Sequence, residues 1–66
     1  MNENEKFMLE LTVGFMKAIA HTNELTFTEF LEMFDTDDDY NTFVSGIEVV
    51  TKTINGILYV IDFNIK

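Results

Sequence analysis

Between residues 4 and 22 the polar or small residues Glu10, Gly14, Lys17 and His21 recur at spacings of 4, 3 and 4, the rhythm of one narrow helix face. Phe7, Met8, Leu9, Leu11, Val13, Phe15, Met16 and Ile19 fill most of the remainder. The pattern predicts a helix over 4–22 with Asn4 as its N-cap and Glu5 in its first turn. Its apolar band is wider than the stripe of an ordinary surface helix, which predicts packing on more than one side.

A second helix is predicted over 26–35. Thr26-Phe27-Thr28-Glu29 has the spacing of a capping box, and Leu25 and Phe30 stand where a hydrophobic staple closes. Phe27, Phe30, Leu31 and Phe34 follow the i, i+3, i+4, i+7 pattern, leaving Glu29 and Glu32 on the outer side. In Asp35-Thr36-Asp37-Asp38-Asp39, any aspartate or Thr36 is able to cap a third helix over 37–45, through Tyr40, Phe43 and Val44 to an exit at Gly46.

The last third changes period. Residues 47–54 and 57–65 are rich in β-branched and aromatic side chains, and Asn55-Gly56 between them favours a two-residue type I′ hairpin. Pairing outward from that turn sets Ile54 opposite Ile57, Lys52 opposite Tyr59, Val50 opposite Ile61 and Glu48 opposite Phe63. Strict alternation then assigns Ile54, Val50, Ile57, Tyr59, Ile61, Phe63 and Ile65 to the core face. A rival reading makes 37–54 one long helix capped by Asn55-Gly56, because Tyr40, Phe43, Ile47, Val50 and Ile54 also keep helical spacing. The density of β-branched residues, and the lack of a partner for a lone terminal strand, favour the hairpin. The expected fold is α+β: one domain over 1–66, with three helices followed by a C-terminal hairpin.

Composition adds constraints. A chain of 66 residues forms one small domain of marginal stability. It has no cysteine, so disulfides and thiolate metal sites are excluded. With 47% hydrophobic residues, apolar packing and self-association remain as staples, and a homodimer is among the expected states. Twelve acidic residues face four lysines and no arginine, for a net charge of −8. Such a surface repels phosphate, which excludes direct nucleic-acid binding and docking on anionic membranes, and it attracts basic proteins. No apolar run reaches spanning length, and the polar, acidic stretch Met1 to Glu5 is unlike a signal peptide, so a cytoplasmic protein is expected.

Little in the chain points to catalysis. His21 is the only histidine and Ser45 the only serine; the first reads as a cation at a helix C-terminus, and nothing pairs the two. No enzyme activity and no cofactor are expected. Residues 30–39 resemble the entering helix and first ligands of an EF-hand, with Asp35, Asp37 and Asp39 at loop positions one, three and five. The match breaks where the loop needs glycine and a bidentate glutamate, since those places hold Tyr40 and Gly46. A helix cap with a solvated turn is the expected structure, and a degenerate calcium-type loop is the third functional alternative.

In element order, three helices and a terminal hairpin, the chain resembles a winged-helix domain. The segment after Thr36 then stands in place of a recognition helix and Asn55-Gly56 at the wing tip. A DNA-reading helix presents arginine, lysine or amide side chains, whereas this one offers Asp37, Asp38, Asp39 and Glu48. In size, charge and lack of cysteine the chain resembles the small acidic inhibitors of bacteriophages, including DNA mimics and anti-CRISPR proteins. That resemblance implies a non-enzymatic inhibitor or modulator of a basic, nucleic-acid-handling protein. Its expected partner-binding residues are Asp35, Asp37, Asp38 and Asp39, with Glu29 and Glu32 beside them. The alternative is a structural interaction module or homodimerising subunit whose carboxylates only confer solubility.

Overall fold

The computed structural model describes residues 2–66. The elements run α1 (Glu3–Thr22), α2 (Phe27–Glu32), α3 (Asp37–Gly46), β1 (Ile47–Ile54) and β2 (Ile57–Ile65). The α+β order of helices followed by a C-terminal antiparallel hairpin is the expected one. Asn55 and Gly56 adopt φ of 52° and 80°, the left-handed pair that a type I′ turn requires. The long-helix alternative for 37–54 is thereby excluded.

Local signals set the helix starts. Thr26 accepts from the Glu29 N–H at 3.1 Å while the Glu29 carboxylate accepts from the Thr26 N–H at 3.3 Å, completing the capping box. Leu25 and Phe30, the staple pair, are both buried. Thr36 caps α3 by accepting from the Asp39 N–H at 3.1 Å. Two boundaries differ from expectation. Asn2, not Asn4, caps α1, accepting from the Glu5 N–H at 2.8 Å, and α2 stops at Glu32 instead of Asp35.

The hairpin register holds near the turn and fails beyond it. Ile54 pairs with Ile57 and Lys52 with Tyr59, but Val50 pairs with Asp62 and Val49 with Phe63. Ile61 is the extra residue of a β-bulge. The bulge reverses the alternation of β2, so that Val60 and Phe63, three residues apart, both point inward with 1% and 0% exposure. The core face is therefore Ile47, Val49, Val60, Phe63 and Ile65, while Ile54, Ile57 and Ile61 of the expected face are exposed.

Phe30 is the centre of the core. It is fully buried, with ring centroids of Phe27, Phe34, Tyr40, Phe43 and Phe63 at 5.9, 5.2, 6.2, 5.7 and 5.6 Å. Most of these pairs are tilted or edge-on, the arrangement aromatic quadrupoles favour. The Leu25 carbonyl also accepts from the Val60 N–H at 2.8 Å, covering part of the free edge of β2.

Helix α1 lies along β2 and packs through Leu9, Val13, Met16, Ile19 and Ala20. Its opposite side is uncovered: Phe7, Met8, Leu11 and Phe15 are 59%, 61%, 55% and 66% exposed. The expectation that α1 packs on more than one side is not met within this chain, because a single hairpin and two short helices offer α1 only one surface.

Candidate functional site

Five of the twelve acidic residues, Glu32, Asp35, Asp37, Asp38 and Asp39, lie close together in the chain, from the end of α2 to the start of α3. Asp37, Asp38 and Asp39 form the first turn of α3, where the helix dipole favours negative charge. Asp35 lies in the link before Thr36, and Glu32 ends α2. All five carboxylates are on exposed residues. Asp35 and Asp37 come together at the rim of an open depression whose other lining residues are Leu31, Phe34, Thr36 and Tyr40. Among the described residues, no ion pair involves any of these acids.

Glu29 is exposed too, but its carboxylate is engaged with both the Thr26 N–H and, at 2.9 Å, the Thr26 hydroxyl. It is a capping group held back against its own helix, which sets it apart from the four aspartates and Glu32. The calcium-loop resemblance meets a different geometry. Asp37 and Asp39 belong to a helical turn, not to a loop wound around a cation. No group of three potential metal-ligating side chains occurs among the described residues.

One acidic residue with specific partners lies elsewhere. Asp62, next to the bulge, accepts from the Phe63 N–H at 2.9 Å and sits 3.6 Å from the Lys17 ammonium and 3.4 Å from His21 Nε2. The Phe63 N–H first, then Lys17 and His21, hold its carboxyl below the ordinary value of 3.8. His21 is in the last turn of α1 and also contacts Asp62 across on β2. Asp62 carried no sequence signal, because the contact depends on how α1 crosses the strand.

The geometry defines a class: a small α+β domain with exposed carboxylates at a helix start that make no ion pair among the described residues. No protein-family model, curated protein or solved structure matches the chain. Among the described residues, no helix is long and apolar enough to cross a membrane.

Proposed function

We propose that the protein is a non-enzymatic acidic binding protein that inhibits or modulates a basic, nucleic-acid-handling protein in the cytoplasm. The acidic corner is its contact surface. The observation that supports this reading is the group of Asp35, Asp37, Asp38, Asp39 and Glu32, exposed and without an ion pair among the described residues. Carboxylates that only tune solubility serve equally well when dispersed among lysines. Here five of the twelve acidic residues fall within the eight positions 32–39, which hold no lysine, a single-sign patch that steers a cationic groove toward it as a phosphate backbone would. In that respect the protein acts as a phage-type DNA mimic or anti-CRISPR inhibitor does, and it excludes nucleic acid from the groove by occupying it.

The test is affinity capture at low and high salt. It is followed by the affinity of wild type and of the Asp37→Asn, Asp38→Asn, Asp39→Asn triple variant for the captured protein. The expected result is binding that weakens steeply with salt, since exposed charges are screened beyond about 8 Å at physiological ionic strength. The triple variant should lose that binding while staying folded by circular dichroism. Unchanged affinity in a folded triple variant removes the acidic corner from the interface.

A further inference from the structure

We infer that the uncovered side of α1 is a self-association seam on which a second copy of this chain docks antiparallel, helix against helix. Phe7, Met8, Leu11 and Phe15 are each more than half exposed. Together they leave about 500 Å² of apolar side chain open per chain, or about 1,000 Å² for a pair, which reaches the smallest size of a specific interface. One heterologous patch of that size is already at the upper end for a monomer.

The charges beside the stripe choose the partner and its direction. Glu3, Glu10 and Lys17 recur every seven residues along one margin of the stripe, and His21 continues it. The margin is acidic at its amino-terminal end and basic at its carboxyl-terminal end. In an antiparallel pair this margin faces itself reversed, so Glu10 of each copy meets Lys17 of the other on both sides of the axis. In a parallel pair this margin faces the other margin of the stripe instead, where Glu5, Thr12 and Ile19 offer Lys17 no acid in register. Matching Glu10 with Lys17 places the two-fold axis midway between residues 13 and 14. Leu11 then packs on the other copy's Phe15 on both sides of the axis, and Gly14 lies beside it. A Cβ built at Gly14 meets nothing within 4 Å, so this point of the surface is open to close approach by another helix. Lys17 keeps its contact with Asp62, since an ammonium has three donors and its side chain is 38% exposed.

The seam is independent of the acidic corner, which lies on α2, α3 and their link. It is tested by sedimentation velocity on the full chain over a concentration series, with cysteine cross-linking in a protein that has no cysteine of its own. Wild type should pass from monomer to dimer as concentration rises, and Leu11→Lys should remain monomeric with an unchanged circular dichroism spectrum. Gly14→Cys should form disulfide-linked dimers, because the two positions lie about 1.5 Å apart along the helix axes. Phe7→Cys should not, with its two positions about 20 Å apart. A wild type that stays monomeric at high micromolar concentration overturns the seam. A Phe7→Cys protein that cross-links to itself overturns the antiparallel arrangement. If Leu11→Lys proves unfolded, the two cysteine variants decide alone.

Discussion

Phe30 and Phe15 are the same amino acid in helices of the same small domain, and their surroundings are opposite. Phe30 is fully buried, while Phe15 is 66% exposed. The corner where α2, α3 and the far half of the hairpin meet is closed by rings from three elements. The outer side of α1 has no covering element at all. A 66-residue chain has enough secondary structure to surround one aromatic residue and not enough to wrap a 20-residue helix. Stability is thus concentrated at Phe30, and the apolar side chains left on α1 are available for association.

Truncating each phenylalanine tests that contrast most severely. Phe30→Ala should cost about 3–5 kcal/mol, a large share of the ~3–10 kcal/mol expected for a domain of this size. Chemical denaturation should find it largely unfolded. Phe15→Ala should change monomer stability by less than about 0.5 kcal/mol. A comparable loss in both would mean that α1 is covered in the monomer after all.

The next effect lies at the hairpin tip. Gly56 has φ of +80° and open space where a Cβ would stand, so a substitution there meets backbone strain and no clash. Gly56→Val should cost about 1–3 kcal/mol through that strain. Gly56→Asn, which tolerates the left-handed region, should recover most of the loss in thermal melts. Equal losses in the two variants would point to a different turn.

What was legible in the chain follows the same division between local and long-range causes. The capping box at Thr26 and Glu29, the Thr36 cap and the Asn55-Gly56 turn are settled within four residues, and each appears where the sequence places it. The bulge at Ile61 has no local signal. It exists because Val60 and Phe63 both gain burial against helices distant in sequence, and strict alternation cannot satisfy both. One shifted residue was enough to put Val50 and Ile61 out of register. The width of the α1 stripe was legible, but whether its second side was covered depended on the number of other elements. The candidate acids were legible as exposed groups, and the capping-box spacing already marked Glu29 as a cap, which the geometry bears out.

Removing charge from the acidic corner should barely touch the fold. In the Asp37→Asn, Asp38→Asn, Asp39→Asn protein the Thr36 cap remains, and relief of repulsion among neighbouring carboxylates offsets part of the lost dipole interaction. A net cost of about 1 kcal/mol or less is expected. A loss of several kcal/mol in urea denaturation would show that these aspartates hold the structure and would weaken their case as a binding surface.

The smallest effect is expected at Asp62, which ties α1 to the bulge. Its carboxylate is stabilised by the Phe63 N–H and by Lys17 and His21, so its folded pKa lies below the unfolded value near 3.8. A carboxyl whose pKa is depressed on folding binds fewer protons in the native state. Its contribution is therefore fully present above the unfolded value, declines as pH falls below it, and is gone once pH passes below the folded value. Asp62→Asn removes the charge and leaves an amide oxygen able to accept from the Phe63 N–H, so it isolates the ionic part. Near neutral pH the variant should melt slightly below wild type, the more so because Lys17 and His21 lose their shared anion. As pH falls through the region just under 3.8 the two melting temperatures should converge. A difference that persists in acid would mean that Asp62 acts through its shape or its backbone hydrogen bond rather than its charge. In that case the position of α1 on the hairpin would rest on its apolar contacts through Leu9, Val13, Met16, Ile19 and Ala20.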